Sequence, residues 1–324
     1  MIVVMLSLSV IAAGVELQEW SSPPDLRIAA EQGDAEAQVS LGFMYATGRS
    51  VVKSDTQAVH FYRLAAEAGN ANAQLNLGAM YEHGRGVKQS DILAFKWYRK
   101  AAQLGQATAQ YNAGVMLKSG RGVQQNEATA LKWYRKAADQ GHAKAQYNVG
   151  VSHDSGRGAE QRDDIAAKWY GKAAQQGDSL AAYNLGIMYS SGRGVQKNNT
   201  EAAVWYRASA EAGVANAQVN LGAAYADGRG VEQSDVRAVY WYRKAAEQGN
   251  ANAQVNLGKR FESGKGIQQS YAEAFAWYQL SGKFSAESLV KPGVLLPAWV
   301  EGDSTKGAAH SSATADSEIT SNAG

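Results

Sequence analysis

Residues 71–87 read Ala-Asn-Ala-Gln-Leu-Asn-Leu-Gly-Ala-Met-Tyr-Glu-His-Gly-Arg-Gly-Val, and residues 90–105 read Ser-Asp-Ile-Leu-Ala-Phe-Lys-Trp-Tyr-Arg-Lys-Ala-Ala-Gln-Leu-Gly. The first stretch predicts a helix from about Ala71 to Tyr81. Ala73, Leu77, Gly78 and Tyr81 fall on one face at helical spacing. Gly84-Arg85-Gly86 then breaks it, because glycine alone enters the left-handed region without strain. Ser90 and Asp91 offer oxygen acceptors for the orphan N–H groups of a second helix. That helix runs to about Leu104, with Ala94, Trp97, Tyr98, Ala101 and Ala102 on its buried stripe, and Gly105 ends it. The unit is a helix–turn–helix.

The same unit recurs every 36 residues without an insertion. Gly33, Gly69, Gly105, Gly141, Gly177, Gly213 and Gly249 form one column, and Gly42, Gly78, Gly114, Gly150, Gly186, Gly222 and Gly258 a second. A third column reads Phe61, Trp97, Trp133, Trp169, Trp205, Trp241 and Trp277. Beside it stands a Tyr column at 62, 98, 134, 170, 206, 242 and 278. The second glycine column sits in mid-helix, where glycine costs about 0.5–1 kcal/mol relative to Ala. Seven such residues imply close approach of neighbouring helices, with large rings set against small residues. No single unit of this size can bury its own apolar face, so stability must come from stacking. The fold class is therefore an all-α solenoid of seven repeats.

The pattern Ala-x-Ala-Gln-x-x-Leu-Gly-x-x-Tyr-x-x-Gly-x-Gly-Val, then Asp, Ala, Trp-Tyr, Ala-Ala and a closing Gly, resembles the Sel-1-like repeat family, a relative of the tetratricopeptide repeats. The resemblance covers residues 25–282. It implies a right-handed α-superhelix and a non-enzymatic adaptor that binds a protein or peptide. It also implies a setting in bacterial envelopes or among secreted bacterial proteins.

Outside the repeats, Ile2 to Ala13 is an apolar run too short to span a bilayer. Ala12 and Gly14 have the small-residue spacing of a signal-peptidase site, although no Lys or Arg precedes Arg27. Residues 1–24 read as a leader and linker, which would place the mature chain in the periplasm or outside the cell and leave it no membrane span; the alternative is an apolar segment that caps the first repeat of a cytoplasmic protein. Asp25 to Gln32 reads as the second helix of an incomplete leading repeat. Residues 283–301 read as a C-terminal cap, and the Ser-, Thr-, Ala- and Gly-rich residues 302–324 as a disordered tail.

Composition limits the chemistry. There are no cysteines, and 32 Lys and Arg against 30 Asp and Glu give no electrostatic reason to expect nucleic acid as partner. The five histidines, at 60, 83, 142, 153 and 310, show no metal-ligand spacing, so no metal or other cofactor is expected. His153 takes the Tyr place of its column, and His60, His83 and His142 read as exposed. Ser50-Val51-Val52-Lys53 fits the Ser-x-x-Lys of penicillin-recognising enzymes, but the companion elements of such a site are missing. A β-lactamase-like hydrolase and an architectural spacer are thus secondary readings. The oligomeric state is not legible.

The main reading is partner binding along the concave face, by residues of the first helix turned away from its core stripe. Asn76, Asn112, Asn148, Asn184, Asn220 and Asn256 form one such column. The column before it turns from Val and Leu to Tyr111, Tyr147 and Tyr183 in the middle repeats only. Val115, Val151 and Ile187 lie one turn further along. Asn can donate to and accept from a peptide backbone, while Tyr supplies an apolar face and a hydroxyl. The alternative for the Asn column is that it braces adjoining repeats. The Arg of each Gly-Arg-Gly turn, at 49, 85, 121, 157, 193 and 229, reads as structural, pairing with a carboxylate or a helix end.

Overall fold

In the computed structural model, residues 23–282 can be described; the leader up to residue 22, the cap and the tail lie outside them. Fifteen helices and no strand are found there. After α1 (Pro23–Glu31), seven pairs follow: α2 (Ala35–Thr47) and α3 (Asp55–Glu67), α4 (Ala71–His83) and α5 (Asp91–Gln103), α6 (Ala107–Ser119) and α7 (Glu127–Asp139), α8 (Ala143–Ser155) and α9 (Asp163–Gln175), α10 (Ser179–Ser191) and α11 (Asn199–Glu211), α12 (Ala215–Asp227) and α13 (Asp235–Glu247), α14 (Ala251–Ser263) and α15 (Tyr271–Leu280). We call the members of each pair helix A and helix B. They divide into two compact units, Met1–Ser209 and Ala210–Gly324.

Local chemistry sets the helix ends. Ser54, Ser90, Ser234 and Ser270 each accept a backbone N–H at the start of a helix B, which satisfies an orphan donor of the first turn. Asp34, Asn70, Asp178 and Asn250 do the same for helix A. Helix A runs one or two residues past the Tyr that the periodicity picks as its end. It closes at a left-handed glycine, for example Gly84 at φ 64°.

The core lies between helices, and its tightest point joins A to B within each pair. A Cβ built on Gly150 of α8 would stand 2.7 Å from two ring carbons of Tyr170 on α9, and Gly42, Gly78, Gly114, Gly186, Gly222 and Gly258 meet their own tyrosines in the same way. The mid-helix glycines thus exist to admit a tyrosine ring. The second glycine of the turn works between repeats. A Cβ on Gly86 would stand 2.2 Å from the Asp55 carbonyl oxygen of the preceding helix B. Ser50, with φ 61°, occupies the same column.

Core clusters cross repeat borders. One contains Tyr62 of α3, Leu77 of α4 and Trp97 of α5, and another contains Tyr134 of α7, Val149 of α8 and Trp169 of α9. Lys100, Lys136 and Lys172 lie over the rings of Trp97, Trp133 and Trp169 at 4.4, 4.8 and 4.2 Å. These cations therefore cover the tryptophan edge as well as complementing the helix end.

A buried glutamine ladder ties consecutive helices together. Gln38, Gln74, Gln110 and Gln146 donate to the carbonyls of Ala30, Ala66, Ala102 and Ala138 in the preceding helix B at 3.0–3.1 Å. The carbonyl oxygens of Gln110 and Gln146 accept from Gln140 and Gln176, 30 residues on. Those of Gln38 and Gln74 have no partner, because Ala68 and Leu104 stand at the equivalent places and lack a donor.

Two substitutions test this packing. Gly150→Ala should lower stability by about 1–3 kcal/mol, as overpacking does, although helix propensity alone favours Ala by about 1 kcal/mol. Leu104→Gln should raise stability by about 1 kcal/mol by satisfying Gln74; Leu104 is 58% exposed, so little burial is lost. Urea-denaturation midpoints read both signs.

Candidate partner-binding surface

Within the first unit, Tyr111, Tyr147 and Tyr183 stand at one register on α6, α8 and α10, and all three are half-buried. Each lies against the core tyrosine of its own helix B, with the ring planes tilted by 38–44°. Ring centroids lie 6.0 Å apart for Tyr111 and Tyr134, 5.9 Å for Tyr147 and Tyr170, and 6.3 Å for Tyr183 and Tyr206. Helix A of one repeat positions its tyrosine, and helix A of the next places an Asn near the hydroxyl. The Asn148 amide lies close enough to the Tyr111 hydroxyl to favour its ionised form, and Asn184 stands in the same way to Tyr147 and Tyr170. Asn112 likewise reaches Tyr98. Burial pushes the Tyr111 and Tyr147 hydroxyls above the usual phenol range, with the nearby Asp178 carboxylate adding to the effect and the Asn amides opposing it.

Three members of the Asn column therefore stand beside tyrosine hydroxyls. An Asn amide offers two donors and an acceptor, so capacity is left over at half-buried Asn112, Asn148 and Asn184. Asn76 has the same register on α4, beside Leu75. Val115, Val151 and Ile187 are half-buried one turn further on and extend the apolar strip beside the rings. In the second unit Asn220 and Asn256 keep the register on α12 and α14, with Val219 and Val255 in place of tyrosine.

The structure corrects the reading of His142. It is half-buried, stacks on Tyr111 with centroids 4.7 Å apart and planes 23° apart, and caps α8 by accepting the Ala145 N–H at Nδ1 over 3.2 Å. Nothing in the spacing marks this position: α2, α4, α6, α10 and α14 cap with Asp, Asn or Gln, and α12 has Val214 there with no side-chain cap. Burial and the Lys144 ammonium hold its pKa below the ordinary imidazole value.

The turn arginines mostly pair as read from the sequence. Arg85 reaches Asp55, Arg121 reaches Asp91 and Glu82, and Arg193 reaches Asp163 and Asp154. Arg229 pairs with Asp227 of its own turn, whereas Arg49 and Arg157 are exposed and have no ion-pair partner among the described residues. Ser50 and Lys53 lie exposed in the first turn, with no hydrogen bond joining them. Among the described residues no group of His, Asp and Glu is placed to hold a metal ion, and no helix is long and apolar enough to cross a membrane.

This stack of glycine-spaced helix pairs defines a class of repeat proteins. The Sel1 repeat matches seven times in succession, over residues 35–70, 71–106, 107–142, 143–178, 179–214, 215–250 and 251–283, and the chain belongs to the Sel1 repeat family. It is similar to c5321, a protective antigen of uropathogenic Escherichia coli, at 39% identity and TM-score 0.76 over 80% of this chain. It covers 56% of that antigen, so it spans just over half its length. A Sel1 repeat protein from Oxalobacter formigenes is 33% identical, with TM-score 0.65, over 77% of this chain and 98% of the other. No curated protein matches the sequence. Proteins built from this repeat generally act as protein-interaction scaffolds, and the fold is typically non-catalytic.

The cap at His142 gives a pH prediction. Its Nδ1 accepts a hydrogen bond only in the neutral form, and a cation at a helix N-terminus opposes the dipole. A depressed folded-state pKa contributes stability that is complete above the ordinary imidazole range and is lost as the pH falls through the depressed value. The melting temperature should therefore fall less between pH 7 and pH 5 in His142→Asn than in wild type, as followed by circular dichroism.

Proposed function

We propose that this chain is a non-enzymatic scaffold that holds a partner protein or peptide along the helix-A face of its first unit. On this reading that face is the concave side of the repeat stack. The observation that carries the proposal is the row of three half-buried tyrosines at equal register. Each lies against a core tyrosine, and Tyr111 and Tyr147 also have an Asn of the next repeat near the hydroxyl. Aromatic side chains held in one rotamer present apolar area and a hydroxyl at little entropic cost on binding. The Val/Leu residues of this column in α2, α4, α12 and α14 would pack equally well, so the change to Tyr in the middle repeats is not required for stacking. Spare hydrogen-bonding capacity in the Asn column suits a peptide backbone.

Export completes the proposal. The apolar run Ile2–Ala13, with small residues at 12 and 14, has the composition of a cleaved leader. The similar E. coli protein is a protective antigen, which favours a setting outside the cytoplasm. Intact mass of the protein from its own cells reads this directly: loss of about 14 residues supports export, and a chain beginning at Met1 or Ile2 opposes it.

The test of binding is a crosslinked capture from host lysate with wild type and with Tyr111, Tyr147 and Tyr183 all changed to Ala, after circular dichroism shows that the variant stays helical. A partner captured by wild type and depleted at least tenfold with the variant supports the reading. Equal capture by both moves recognition away from these rings.

A further inference from the structure

Two repeats carry the same polar network at the end of helix A. In the α4–α5 pair, the Tyr98 hydroxyl donates to Glu82 Oε2 over 2.7 Å, and Glu82 Oε1 accepts from Arg121 Nη1 over 3.0 Å. Arg121 Nη2 continues to Asp91 over 2.7 Å. In the α8–α9 pair, Tyr170 donates to Asp154 over 3.1 Å, Arg193 pairs with Asp154, and Arg193 reaches Asp163 over 2.7 Å. A carboxylate is the hub in both cases: it accepts from a tyrosine on one side and from the next repeat's arginine on the other.

The α6–α7 pair between them has Tyr134, Arg157 and Glu127 at the matching places, but Lys118 where the hub carboxylate belongs. The exchange replaces a surplus of one negative charge by one positive. Lys118 and Arg157 are both exposed, whereas Arg121 and Arg193 are partly covered. Neither cation has a side-chain partner among the described residues; Glu127, the remaining carboxylate of the set, pairs with neither. By register, two exposed cations take the place at which the flanking repeats set a carboxylate against a tyrosine, an arrangement completed by an anion from outside. Its place in the fold also matters. The Tyr134 ring touches Tyr111, and Lys118 lies on α6 in the turn after Val115, so this corner adjoins the row of half-buried tyrosines.

We propose that Lys118 and Arg157 receive a carboxylate, and hence that the partner segment is an acidic peptide that sets an Asp or Glu side chain where the flanking repeats carry Glu82 and Asp154. This rests on the groove reading above and names the chemistry of its occupant. The guanidinium offers two parallel donors and the ammonium a point charge, and both favour carboxylate over a neutral side chain. Being exposed, the corner is screened by salt.

The probe is a fluorescein-labelled random copolymer of Glu and Tyr, followed by anisotropy at low ionic strength. Wild type should bind it, with affinity falling as salt is added. Lys118→Glu and Arg157→Gln should each weaken binding at least tenfold. Lys118→Glu restores the hub carboxylate, so a melting temperature at or above that of wild type shows that its loss of binding is not unfolding. No binding by wild type, or equal binding by Lys118→Glu and wild type, overturns the proposal. The triple tyrosine variant separates the two readings. Binding that still depends on Lys118 when the tyrosines are gone keeps the corner and removes the tyrosine groove. Tyrosine-dependent capture of a partner, together with copolymer binding indifferent to Lys118, does the reverse.

Discussion

The contact between a mid-helix glycine and a tyrosine ring is the constraint on which the rest of the structure depends. A Cβ at Gly42, Gly78, Gly114, Gly150, Gly186, Gly222 or Gly258 would come within 2.6–2.8 Å of that ring. No side chain larger than hydrogen fits while the helices keep their separation. Glycine weakens helix A in isolation, and the burial of an aromatic ring offsets this, since each large ring removes on the order of 150–250 Å² from water. Because the contact recurs at a fixed register, it sets the separation of the two helices in every pair. The repeats then inherit one geometry.

Everything that faces away from that contact follows from it. With helix B's tyrosine seated under helix A, the next ring along helix A has a platform to lie on, and Tyr111, Tyr147 and Tyr183 use it. Their outer edges stay open because helix A of the adjoining repeat contributes an Asn there instead of a bulky side chain. The glutamine ladder and the turn arginines join one repeat to the next without using this face. Within the first unit this leaves one aromatic row half-buried.

Much of this was legible in the sequence because repetition makes it so. The period, the two glycine columns and the Trp-Tyr pair each state a local rule seven times or nearly so, the Ser caps do so four times, and the helix pairs follow from them. Periodicity shows which residues share a column but not which columns touch. That the Asn of one repeat meets the Tyr of the previous one is a relation between columns 37 residues apart, as from Tyr111 to Asn148. His142 stood out only as a histidine, since imidazole is an uncommon cap. The unpartnered Gln38 and Gln74 oxygens depend on what stands 30 residues later, at Ala68 and Leu104. Lys118 looked like ordinary surface variation until Glu82 and Asp154 were seen to be hubs. The missing information was in each case the contact map between repeats.

The central claim, that the helix-A face of the first unit carries the partner, is tested most directly by placing a photocrosslinker on each side of the stack. Benzoylphenylalanine in place of Tyr147 on α8 should yield a partner-sized adduct on irradiation in the native host. The same residue in place of Lys168, exposed on α9, should yield none. Adducts from position 168 and not from position 147 would contradict the account and put recognition on helix B.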